Sequence, residues 1–408
     1  MKYKKQIFFT LVTLVIVDSF RWISYAGLLE IESSTYIAVF LIYISIYFLL
    51  RITLNSNWKI ETPKTVPNLI NLWIGINAIN FIRGLFLAKD YWDYKFLFFS
   101  AITYVLISLV FYVGNNLQQV VIVFKFVLKY LFPFGFLLIP LALVTNEELY
   151  SRIMIPISLF ILFIPFVKCK HKVLIILVAV TSILIVISFR SNIIKISFSI
   201  FLLLVYYLKI NYRWLQILNL GLFAIPITLF ILAVSGTFNV FAEISDSKEL
   251  AITTNEVSGE TLGGDSRTFL YVEVLQSIKN NGNFIFGSGM GTGYESFLID
   301  VSNGTYNNKR YTSEVGILNN LLQTGLIGVL IYFIVLFKVS YTAISQSSNM
   351  LSKILGLYIS FRWLLYFIEE FTQYDLNFYF FWLAIGLVSS GKFRTMNDKQ
   401  IKNLFLFK

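Results

Sequence analysis

The chain has 408 residues, of which 57% are hydrophobic and only 13% charged, about half the charged share of an ordinary soluble domain; its mean hydropathy is +0.74. That balance excludes a soluble globular enzyme, and the one cysteine, Cys169, excludes an intrachain disulfide. The formal net charge of +11 is spread too thinly to form a basic patch, which argues against nucleic acid as a partner and for lysines and arginines that orient membrane spans.

The N-terminus, Met1-Lys2-Tyr3-Lys4-Lys5, runs into a long apolar stretch with no small-residue cleavage site. It reads as an uncleaved signal anchor. A helical span needs about 20 mostly apolar residues. On that template spans fall at 6–28, 34–52, 67–88, 94–113, 120–144, 152–167, 173–189, 194–209, 214–235, 315–338, 354–372 and 376–390. The expectation is an all-α integral membrane protein of about 12 transmembrane helices. Nine lie in 1–235 and three in 315–390, with a long polar segment, 236–314, between them and a basic tail at 391–408. With the N-terminus inside, the inner segments collect Lys2, Lys4, Lys5, Arg51, Lys59, Lys64, Lys168, Lys170, Lys172, Lys209, Arg213 and Lys353. On the other side Lys89, Asp90, Asp93, Lys95, Glu147, Glu148 and Arg152 nearly cancel. Both termini are therefore expected in the cytoplasm and 236–314 outside the cytoplasmic membrane. Trp22, Trp92 and Trp382 lie near span ends and suit an aromatic belt.

Four places invite chemistry. Arg190, in the short turn Phe189-Arg190-Ser191-Asn192, opposes the charge bias. It is either a snorkelling interfacial charge or a planar fork for a phosphate. Within the polar segment, Asp265 or Ser266 caps a short helix whose Leu270, Val274, Leu275 and Ile278 form one apolar face and whose stop is Asn281-Gly282. Arg267 then sits in the first turn, where free N–H groups and the dipole favour an anion, or it is a solvated surface charge. The run Gly287-Ser288-Gly289-Met290-Gly291-Thr292-Gly293 is a tight return of the chain or a close backbone approach to a ligand; it lacks the lysine of a phosphate loop. Glu314 closes the segment at the mouth of the tenth span. A glutamate there complements a helix dipole or serves as a general base on a hydroxyl. Ionisable residues inside spans are costly and often functional: Asp18 and Arg21 lie one turn apart, and Glu369 and Glu370 are candidate partners for Arg83 and Arg362. The single histidine, His171, falls on the cytoplasmic side, and no histidine or cysteine cluster offers a metal site.

Taken in order, these features resemble the bacterial O-antigen polymerase and O-antigen ligase superfamily, polytopic glycosyltransferases of GT-C type. Ser188-Phe189-Arg190 looks like that family's serine-arginine turn. Ser266-Arg267, then Asn283-Phe284-Ile285-Phe286-Gly287-Ser288-Gly289, look like its loop arginine and glycine motif. Leu318 to Gly328, ending Gly325-Leu326-Ile327-Gly328, looks like its span after the loop. Where ligases carry a histidine, about eleven residues before that ending, this chain has Glu314. The resemblance implies a metal-independent, inverting transfer with no cofactor. The donor is a glycan on undecaprenyl diphosphate and the acceptor is a second lipid-linked repeat unit. It also implies membrane lipids around the site and a chain-length regulator as a further partner. On that reading Arg190 and Arg267 hold the diphosphate, Gly287, Gly289 and Gly291 approach the substrate, and Glu314 acts as base. Two alternatives stay open: a ligase passing finished glycan to another acceptor, and a transporter or flippase of lipid-linked glycans. Of the latter's usual marks, two related halves and paired broken helices, none is legible.

Overall fold

The computed structural model describes residues 3–25, 34–55, 65–144, 147–185, 190–234, 268–296, 309–368, 370 and 372–406. About 84% of these are helical. In chain order the elements are α1 (Lys4–Tyr25), α2 (Ser34–Asn55), α3 (Thr65–Leu87), α4 (Tyr91–Asn115), α5 (Leu117–Val144), α6 (Glu147–Met154), α7 (Ile157–Ile161), α8 (Cys169–Ile185), α9 (Arg190–Leu208), α10 (Tyr212–Val234) and α11 (Thr268–Asn280). The two-residue strands β1 (Tyr294–Glu295) and β2 (Lys309–Arg310) follow, then α12 (Gly316–Ser345), α13 (Met350–Tyr366), α14 (Leu376–Ser389), α15 (Gly391–Thr395) and α16 (Asp398–Phe405). Among the described residues seven helices are long and apolar enough to cross a membrane: Tyr36–Leu54, Thr65–Leu87, Tyr91–Asn115, Leu117–Val144, Ser191–Leu208, Tyr212–Leu232 and Gly316–Ser345. The chain is an all-α, multi-pass membrane protein.

Side-chain caps begin several of these helices. Asp90 accepts from Trp92 N and Asp93 N, Asn116 from Gln118 N and Gln119 N, and Asp375 from Phe378 N, each satisfying amides that have no partner within the helix. The stretch expected as a straight span over 152–167 is instead α6, α7 and a 3₁₀ turn at Ile164–Phe166. Pro156 and Pro165 remove the N–H groups a continuous helix needs there.

α14 is the centre of the bundle. It has 14 residues, all of them buried. Its Trp382 packs tilted against Trp73 of α3 at 5.5 Å, and Trp73 meets Tyr332 of α12 at 5.8 Å. Trp382 is thus a core residue and not part of an interfacial belt. Gly386 of α14 crosses Gly114 of α4 so closely that a Cβ on either would overlap the other helix's backbone. The entry to α14 is gripped from α1: Asp18 Oδ2 accepts from Leu376 N at 3.1 Å, and Arg21 Nη1 donates to Tyr374 O at 3.2 Å. The two residues, one turn apart on α1, hold the same short stretch of chain.

α12 is broken. Gly325 has φ 67° and ψ −167°, a combination open essentially to glycine alone. The loop 284–288 fills the break. Leu326 N donates to Phe284 O at 3.0 Å, Ile327 N to Ile285 O at 3.3 Å, and Ser288 N to Leu322 O at 2.7 Å. Irregular backbone inside an apolar bundle persists only where its polar groups find such partners.

Candidate functional site

The site is built at the end of the bundle that carries the polar segment. α11 lies on the bundle with Leu270, Val274 and Ile278 fully buried and Leu275 packed beside them. Tyr271 fastens it by donating its hydroxyl to Phe367 O. The helix stops as its sequence requires: Gly282 takes φ +64°, Gly282 N bonds Lys279 O, and Asn283 N bonds Ile278 O, the paired arrangement of a left-handed glycine cap.

The chain then enters the glycine run. Gly287, Gly289 and Gly291 all have positive φ, and 287–291 are buried. Gly287 sits against the break at Gly325, where a Cβ on either glycine would strike the other's backbone nitrogen. Met290 is buried at 0% exposure, its carbonyl pressed against Gly84 of α3. Gly287 packs backbone on backbone against α12, Gly289 faces Leu87 of α3, and Gly291 faces Leu97 and the Asp93 carbonyl of α4. β1 and β2 pair antiparallel, with Tyr294 opposite Arg310, and bring the chain back to Glu314.

Glu314 is held at the mouth of α12. Asn319 accepts from Ser313 N at 2.6 Å and donates to Ser313 O at 2.7 Å, and Ser313 Oγ accepts from Val315 N at 3.1 Å. The Glu314 side chain, 36% exposed, meets Arg310 Nη2 at 3.6 Å. Its carbonyl oxygen accepts from Glu370 N at 3.0 Å. Behind it lies a buried ion cluster. The Glu370 carboxylate takes Arg362 Nη2, Lys195 Nζ at 3.5 Å and Asn377 Nδ2 at 2.9 Å. Arg362 also lies 4.6 Å from the Phe381 ring centroid, a favourable cation–π placement.

β2 is clasped from the other side. Lys309 Nζ lies 3.5 Å from Asp93 Oδ1 and 3.8 Å from Asp90 Oδ2. Tyr311 donates to Asp93 Oδ1 at 2.8 Å and stacks on Phe96 at 4.4 Å. The backbone N–H of Asp93, helped by Lys309, holds the Asp90 carboxyl below its ordinary value. Burial, then the hydrogen bond to Asp93, pushes the Tyr311 hydroxyl upward.

A groove of about 900 Å³ opens beside the docked loop, between Ile76, Ile79, Asn80 and Arg83 of α3, residues 282–286 and Ile327. Arg83 donates to Phe286 O at 3.1 Å and to Asn283 Oδ1 at 3.4 Å. Phe284, Ile285 and Phe286 are 48%, 55% and 63% exposed, a row of apolar side chains that a membrane, not water, would cover.

Of the residues marked in the sequence, Glu314 stands at the start of α12, and Gly287, Gly289 and Gly291 pack against α12, α3 and α4 respectively. Arg190 is the first residue of α9; its side chain, and Arg267 and Glu369 altogether, lie outside the described residues. Glu370 does partner Arg362. Sequence reasoning missed Lys195 and Arg310. The signal for Arg310 was a pair of cations, Lys309-Arg310, four residues before Glu314 in an otherwise acidic segment.

The arrangement offers a carboxylate beside a guanidinium at the start of α12, and an apolar groove further along the same helix at Ile327. That set can receive a hydroxyl's proton and steady developing negative charge. Comparison with family models, with curated proteins and with solved structures gave no match.

Proposed function

We propose that the chain is a polysaccharide polymerase of the cytoplasmic membrane, acting in O-antigen or capsule assembly. It has about twelve spans in a GT-C like arrangement, both termini in the cytoplasm and residues 236–314 outside. It joins oligosaccharide repeat units carried on undecaprenyl diphosphate. The acceptor hydroxyl oxygen attacks the anomeric carbon of the donor glycan and inverts it. The bond from that carbon to the diphosphate oxygen breaks, the lipid diphosphate leaves with the electron pair, and the hydroxyl proton passes to Glu314. Arg190 and Arg267 hold the diphosphate. The leaving group is already good, so the protein's work is positioning and charge stabilisation.

One observation carries this reading. Two of the stretches on which the resemblance rests, Asn283–Gly289 and Leu318–Gly328, are hydrogen-bonded to each other, and α12, which carries the second of them, begins directly after Glu314. The test is purified protein in nanodiscs given its lipid-linked repeat unit, with products sized on a gel. The expected result is a ladder of lengthening lipid-linked chains, lost in Arg267→Ala and reduced about 10²-fold or more in Glu314→Gln. Product appearing only when a different acceptor is supplied would replace polymerase by ligase.

A further inference from the structure

Glu370 joins two pieces of chain that the proposed reaction needs in fixed relation. Its backbone N–H donates to the carbonyl of Glu314 at 3.0 Å. Its carboxylate receives Lys195 Nζ at 3.5 Å, and Lys195 belongs to α9, whose first residue is Arg190. Along a helix, the step from Arg190 to Lys195 is about 7.5 Å. One buried carboxylate thus ties the helix headed by the donor-side arginine to the turn that presents the acceptor-side glutamate.

The chemistry of this tie is unusual for a simple packing contact. The Lys195 and Glu370 side chains are 5% and 2% exposed, and burying ions costs several kcal/mol each before any attraction is counted. Arg362 alone balances the charge of Glu370. An apolar side chain at 195 would fill the space without that cost, but it would slide. An ammonium on a carboxylate fixes both distance and direction. The first turn of α9 is held separately, by Asn192 donating to Ser151 Oγ, so two ties at different heights set the helix's position.

We infer that Lys195 and Glu370 are positioning residues that set the spacing between Arg190 and Glu314. The roles of those two residues rest on the function proposed above; the tie itself does not. Lys195→Met leaves the Arg362–Glu370 pair intact and the folded state standing. In the lipid-linked repeat assay it should lower kcat about 10–100-fold, the scale of a 1 Å misplacement, with KM little changed, while Lys195→Arg restores the rate. In parallel, Ile194→Cys on the exposed face of α9 and Glu295→Cys on β1, in a Cys169→Ser background, carry spin labels for a distance measurement. The distribution should be narrow with Lys195 present and shifted or broadened in Lys195→Met. An unchanged distribution overturns the inference, as does full activity in Lys195→Met. If the wild-type protein makes no product at all, the proposed reaction falls and the label distances still decide whether the tie exists.

Discussion

At the scale of single residues, buried charge decides where the protein is brittle. Glu370 faces two cations, Arg362 and Lys195. Glu370→Leu leaves both buried without their carboxylate, and the expected loss is about 3–5 kcal/mol, visible as a large drop in the melting temperature of the detergent-solubilised protein. Asp90 acts more gently. Its folded-state pKa is depressed, so its charge stabilises the fold fully above the unfolded-state value of about 3.9 and loses that contribution as pH falls through the lower folded value. Asp90→Asn keeps the cap and removes the charge. The stability gap between wild type and Asp90→Asn, at most about 1 kcal/mol at neutral pH for so accessible a group, should close below about pH 4 in a melting series. The pairing of Arg362 with Glu370 was legible because a charge inside a span demands a partner. Lys195 was not, since its carboxylate lies 175 positions away and nothing local marks it.

At the scale of elements, the break in α12 is the least forgiving point. A Cβ at Gly325 would overlap Ile285 O and Gly287 N in a backbone conformation that costs about 1–3 kcal/mol for other residues. Gly325→Ala is expected to release the loop, read as faster hydrogen exchange at the amides of Ser288, Leu326 and Ile327. Gly75→Ala, where nothing lies within 4 Å of the added methyl, should leave those amides unchanged. The loop helix shows how far local pattern reaches. Its apolar face and its glycine stop were both readable, because helix periodicity and a left-handed cap are encoded within a few residues. The docking of 284–288 on 322–327 was not, because backbone-to-backbone bonds leave no trace in side-chain pattern beyond a glycine on each side.

At the scale of the whole molecule, composition was enough to announce a multi-pass helical bundle. It was not enough to separate spans from short buried helices. Residues 152–167 are as apolar as a span, yet two prolines break them into short helices and turns. Trp382 stands in the middle of its run and lies in the core, because α14 is short and buried along its whole length. The proposed orientation makes a direct prediction. In intact cells a membrane-impermeant maleimide should label Asn281→Cys in a Cys169→Ser background, while the native Cys169, which is exposed, should react only after permeabilisation. The reverse pattern would invert the topology and remove the extracytoplasmic reaction.

The docked loop has one more consequence. Residues 268–296 are bound to the bundle through α11, the glycine run and the break at Gly325, and residues from Lys309 onward are bound through β2 and α12. Each shore of the 297–308 stretch is moored independently, and β1 lashes the two together. A chain severed by a protease inside that stretch should therefore stay assembled, its halves parting on a denaturing gel but travelling as one particle under native conditions. Two separately translated halves, divided at the same point, should find each other in the membrane.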